Sequence, residues 1–176
     1  AFATRMRSFG PSRIIAYDPF VPQTVADLLG VQLVSLEELL AESDYVSIHT
    51  SLTTETRHLI NEKTLKLMKP TAMLVNTSRG PVIDGQALFW ALKEKTIEAA
   101  ALDVTEVEPI ESSDPLLSLS NVIVTPHLAG FSPTFLDECP IRQAENVIRV
   151  LTGSAPWGLA NPEACLLYTS DAADDV

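Results

Sequence analysis

Apolar residues along this chain gather in short runs of four or five, each closed by polar residues, and the runs alternate with stretches of helical period. Residues 13–17 (RIIAY), 31–34, 45–48, 72–75, 99–102 and 122–124 read as strands. Runs so uniformly apolar suit strands covered on both faces, and their alternation with helices implies a doubly wound α/β fold: a parallel sheet with right-handed crossovers.

The helices carry their own punctuation. Residues 1–9 read as a helix already under way, with Phe2, Met6 and Phe9 on one side, so we expect a piece of a longer protein. Residues 22–29 form a helix closed by Gly30. Ser35 caps 36–41, with Glu38 completing a capping box. Asn61 caps a helix to about Met68, stopped by Pro70, and Asp84 caps 85–95, whose Ala87, Leu88, Ala91 and Leu92 form a buried stripe. Ser132 and Pro133 open a helix to Leu151 that Gly153 ends; Pro140 inside it predicts a bend or a split.

Two segments organise the chemistry. The strand at 99–102 delivers Asp103, Glu106 and Glu108 to its C-terminal edge; the strand at 122–124 delivers Thr125 and His127. Ligands of open α/β sheets bind at that edge. A carboxylate and an imidazole there can form an oriented acid–base pair. Spacing alone is equally compatible with a surface Glu and a loop His that never meet. Asp18 ends the strand at 13–17, where a dinucleotide-binding sheet places its ribose acceptor, or else it simply forms a turn. Arg79, in NTSRG, can grip a carboxylate or bridge a loop. His49 and His58 read as packed, structural residues.

Charge narrows the partners. The 176 residues carry a net charge of −11, and residues 1–160 alone hold 19 acids against 12 bases, or −7, which argues against nucleic acid or an anionic membrane. No apolar run approaches the roughly 18 residues of a membrane span. Two cysteines, Cys139 and Cys165, form neither a disulfide framework nor a metal pattern, so no metal site is expected and a cytoplasmic, reducing compartment is. Residues 1–160 read as one partial domain. Residues 165–176 (CLLYTSDAADDV) fit nothing before them, resemble translated adapter read-through, and are expected to form a frayed tail within a 161–176 terminus.

The segments VNTSRGPVIDGQAL, AAALDVTEVEP and NVIVTPHLAG, with HTSLTTETRHLIN, closely resemble the nucleotide-binding domain of the D-isomer-specific 2-hydroxyacid dehydrogenases, the phosphoglycerate dehydrogenase group being the nearest type. The resemblance covers about residues 1–162. It implies a Rossmann-type fold that lacks its first strand and its glycine-rich loop, since counting back from Asp18 puts that loop before Ala1. It implies NAD as cofactor, a small 2-hydroxy or 2-keto acid as substrate, and a homodimeric parent. His127 would then be the general acid for keto-acid reduction, Glu108 its partner favouring the protonated ring, and Arg79 the substrate-carboxylate ligand. Asp18 would take the adenosine ribose, which points to NAD over NADP. Thr50, Thr77, Ser78, Asp103 and Gly130 would line the cofactor together with Arg79 and His127. Ser51 stands where the family usually has Pro, and Thr105 where it usually has Phe. Without the loop that holds the cofactor diphosphate, the chain by itself is expected to be inactive. The alternative is an NAD-sensing binding module resembling the C-terminal-binding corepressors.

Overall fold

A computed structural model describes residues 1–161. It divides into two compact units, the first ending at Leu128 and the second beginning at Ala129. The expectations for the 161–176 terminus fall, beyond residue 161, outside the described residues.

The first unit opens with α1 (Phe2–Met6), which tightens into a 3-10 turn, and continues through β1 (Ile15–Ala16), α2 (Gln23–Leu28), β2 (Gln32–Leu33) and α3 (Leu36–Glu42). Then follow β3 (Tyr45–Ile48), α4 (Glu62–Leu65), β4 (Met73–Asn76), α5 (Gly85–Lys93), β5 (Ala99–Leu102) and β6 (Val122–Val124). β3, β5 and β6 occupy the residues the apolar runs mark. β4 is shifted by one residue, because Asn76 keeps the ladder to its end.

All pairings are parallel, as expected, but the strands fall into two sheets: β1–β2, and β3–β4–β5–β6 in that order. Among the described residues β1 pairs only with β2, and β3 only with β4. A strand held on one side has half the ladder of an interior one, and β1 and β2 are accordingly two residues each where the apolar runs predict five and four.

The core lies on the larger sheet. Leu74 of β4, Leu40 of α3, Leu65 of α4 and Leu88 and Leu92 of α5 are essentially solvent-free. Three caps form, but the box expected at Ser35 is only half made, since the Glu38 side chain faces Arg13. Ser35 Oγ accepts from the Glu38 N–H, Asp84 from the Ala87 N–H, and Asn61 forms a reciprocal box with Thr64. The Glu38 carboxylate lies 3.9 Å from Arg13. α4 is shorter than predicted: beyond Leu65 the chain winds into tighter turns, with Leu67 and Met68 N–H bonding three residues back.

In the second unit α6 (Pro133–Leu151) starts on Ser132, whose Oγ accepts from the Phe135 N–H. The chain beyond it folds back, with the Arg149 guanidinium over the Trp157 ring. Pro140 does not split α6, which runs as one element. A single proline removes one hydrogen bond, and seven helical residues before it with eleven after it keep the element whole.

Candidate active site

Strand register creates the site. Ile48, Asn76, Leu102 and Val124 form one row across the four-stranded sheet. The next residue on each strand, His49, Thr77, Asp103 and Thr125, opens a polar row along the C-terminal edge. Adjacent strands are about 4.8 Å apart, so side chains leaving β4, β5 and β6 share one rim.

The acid–base pair forms. Glu108 Oε2 lies 3.2 Å from His127 Nδ1. Both side chains are partly open to solvent, His127 by half. Glu108 Oε1 also accepts from the Thr105 N–H at 3.4 Å.

His127 stands in the left-handed backbone region, φ 55°, which costs a non-glycine residue about 1 kcal/mol or more. Asp103 holds it there. This buried carboxylate accepts the Thr125 hydroxyl at 2.6 Å and the Leu128 N–H at 2.9 Å, and the Asp103 carbonyl accepts the His127 N–H. From the sequence Asp103 reads as a cofactor-lining residue; its Oδ1 is engaged in fixing the turn that presents the imidazole.

The NTSRG loop is fixed from beneath by Asn76, which is fully buried. Its Oδ1 accepts from the Ser78 N–H and hydroxyl, and its Nδ2 donates to the Arg79 carbonyl. Gly80 lies so close to the neighbouring loop that a Cβ there would come within 1.8 Å of the Thr105 carbonyl oxygen. Thr77 and Arg79 are exposed, and Arg79 Nη1 donates to the Ser78 carbonyl. Neither Asn76 nor Gly80 stands out in the sequence as a functional residue. Asn76 carries one signal: it is a polar residue continuing an apolar strand.

The remaining candidates lie as follows. Asp18 is exposed just past β1, and its Oδ1 accepts from the Phe20 and Val21 N–H groups, so it does form a turn. Thr50 follows β3, its hydroxyl donating to the Ser51 carbonyl at 3.3 Å. Gly130 is in the second unit. His49 stays exposed, though its Nε2 meets Ser47 Oγ at 3.0 Å and its ring packs on Phe2, and this partial desolvation pushes its pKa down. His58 pairs with Glu106 at 2.7 Å. No cluster of three or more metal-ligating side chains occurs among the described residues.

A parallel α/β sheet with carboxylates, hydroxyls and a guanidinium at its C-terminal edge defines a dinucleotide-binding class of domain. The chain belongs to a particular family of that class: residues 1–129 match the D-isomer specific 2-hydroxyacid dehydrogenases over their NAD binding domain. It is 48% identical over 163 residues to a glyoxylate reductase of Korarchaeum cryptofilum, covering 93% of this chain and 49% of that one. It is 42% identical to a D-3-phosphoglycerate dehydrogenase of Methanocaldococcus jannaschii, covering 89% and 30%. Among solved structures, D-lactate dehydrogenase with NAD+ from Lactobacillus jensenii matches with a TM-score of 0.79 at 27% identity, covering 90% of this chain and 51% of that one. The chain thus spans about half the length of the first of these relatives or less. All three carry dehydrogenase or reductase names, which does not support the corepressor-like alternative. No helix among the described residues is long and apolar enough to cross a membrane.

NAD fits the residues present. An exposed carboxylate past β1 suits a ribose diol, and the hydroxyls of Thr50, Thr77 and Ser78 follow β3 and β4 at one edge.

Proposed function

We propose that this protein transfers a hydride between NAD(H) and a D-2-hydroxy acid/2-keto acid pair, with His127, Glu108 and Arg79 as its catalytic residues. The observation that carries this reading is the Glu108–His127 contact at the sheet's C-terminal edge.

When bound, NADH supplies the hydride. His127 supplies the proton. With Nδ1 turned to Glu108, Nε2 is the atom that gives a proton to the carbonyl oxygen in reduction and takes it back in oxidation. The carbonyl π bond breaks as the C–H and O–H bonds form. The Glu108 carboxylate holds the ring in that orientation. Arg79, exposed after β4, grips the substrate carboxylate, and its charge stabilises the oxygen that becomes negative. Asp18 takes the adenosine ribose and repels a 2′-phosphate, while Thr50, Thr77, Ser78 and Asp103 line the cofactor.

The 48% identity to a glyoxylate reductase favours a small 2-keto acid such as glyoxylate. A homodimeric assembly in the cytoplasm completes the proposal, the compartment being suggested by a chain of only two cysteines without a disulfide framework. The test is to assay the whole protein with glyoxylate and either NADH or NADPH. Oxidation of NADH in clear preference to NADPH supports the reading. NADPH preference, or no oxidation of either with glyoxylate, hydroxypyruvate or pyruvate, refutes it.

A further inference from the structure

Among the described residues outside the site, Glu106 is a heavily engaged acid. Its Oε1 lies 2.7 Å from His58 Nε2 and 3.7 Å from the Arg57 guanidinium, and its Oε2 accepts the Gly85 N–H at 3.0 Å. Gly85 is the first residue of α5, and Arg57 and His58 belong to the loop between β3 and α4. Those two segments are already laced together. The His58 N–H donates to the Pro81 carbonyl, Ile60 to Val82, and Asp84 to Ile60, at 2.8–3.1 Å. Glu106 hooks the 104–108 turn onto this frame.

The turn is packed at its start, where Val104 is buried and Gly80 abuts the Thr105 carbonyl, and open at its end, where Val107 is exposed. Beneath it lies a cleft of about 130 Å³ bordered by Leu102, Thr105, Val107 and Leu116. Thr105 spends its hydroxyl on the Val107 carbonyl. Glu108, two residues beyond Glu106, meets His127 at 3.2 Å, at the long end of hydrogen bonding, so a small shift of the turn would break that contact.

We propose that the Glu106 carboxylate is a positioning residue: by tying the 104–108 turn to His58 and to the start of α5, it sets where Glu108 stands against His127. This rests on the acid–base reading of that pair.

The experiment uses the whole protein with Glu106→Ala and Glu106→Gln. It measures kcat and KM with glyoxylate and NADH, and backbone deuterium exchange of residues 104–108 without cofactor. Glu106→Ala should lower kcat by about ten- to a hundredfold, the scale of a displacement of about 1 Å. The KM for NADH should stay unchanged and exchange at 104–108 should accelerate. Glu106→Gln should recover most of the rate, since its amide still accepts from Gly85 and can donate to His58. Unchanged kcat in Glu106→Ala, or a loss that Gln does not rescue, overturns the proposal. If Glu106→Ala does not fold, His58→Asn decides: it tolerates the positive φ of 52° at that position but withdraws the partner. A fall in kcat supports the proposal there and an unchanged kcat overturns it. His127→Ala run in parallel separates the two claims. Retained turnover in that variant defeats the acid–base reading. Lost turnover with an intact Glu106→Ala enzyme defeats only the positioning role.

Discussion

Glu108 Oε2 reaches His127 Nδ1 at 3.2 Å across 19 positions of sequence, because β5 and β6 are neighbours and both side chains leave their C-terminal ends. A carboxylate there accepts from Nδ1 and orients the ring. Glu108→Gln keeps the hydrogen bond and loses the charge. We expect kcat to fall by up to about a hundredfold, the lower reach of a lost acid–base contribution, with NADH affinity unchanged. Steady-state kinetics beside NADH titration would check this, and equal losses in both would contradict it.

Arg79 acts on the substrate in this account. Arg79→Lys should raise the KM for a 2-keto acid and lower kcat, because an ammonium cannot reproduce the bidentate fork. A monocarboxylate inhibitor should lose affinity in parallel. An unchanged inhibition constant would remove Arg79 from the carboxylate site.

Gly80 carries a stability prediction. A methyl group there would meet the Thr105 carbonyl oxygen at 1.8 Å and the Glu106 nitrogen at 2.7 Å. Both are backbone atoms, so a loop must move. Gly80→Ala should destabilise the protein by about 1–3 kcal/mol, the cost of overpacking, and also lower activity, since Arg79 and Glu108 flank the contact. Urea unfolding measures the first effect; a midpoint within error of the parent would contradict it.

His49 gives a pH dependence. Its pKa is lowered from the ordinary 6.5 by partial desolvation of the ring. The unfolded chain therefore binds more protons than the folded one just below pH 6.5, and stability rises with pH there. The contribution is complete above about pH 6.5 and is lost as pH falls toward the folded value. His49→Gln should flatten that part of a plot of Tm against pH. An unchanged slope between pH 5 and 6.5 would refute the assignment.

Strands and helices with strong local signals were legible in the sequence. β3, β5 and β6 match their apolar runs, and Ser132 with Pro133 marks the start of α6. The lengths of β1 and β2 were not legible, because they depend on which neighbours pair with them. The roles of His127, Glu108 and Arg79 were suggested by motif; their register was not, since it comes from strand order. The Asn76 network, the Gly80 approach and the Glu106–His58 contact lay beyond spacing. They join residues through the fold, in the last case 48 positions apart. Of the two outcomes expected at Pro140, the split does not occur, because helical flanks on both sides keep α6 one element.

The central claim is that His127 moves the proton. The most direct measurement is the single-turnover rate of NADH oxidation with glyoxylate in the His127→Ala whole protein, alongside NADH binding by fluorescence. The account predicts a rate lower by about 10²–10⁴ with NADH affinity nearly intact. A rate close to that of the unmodified protein would contradict it.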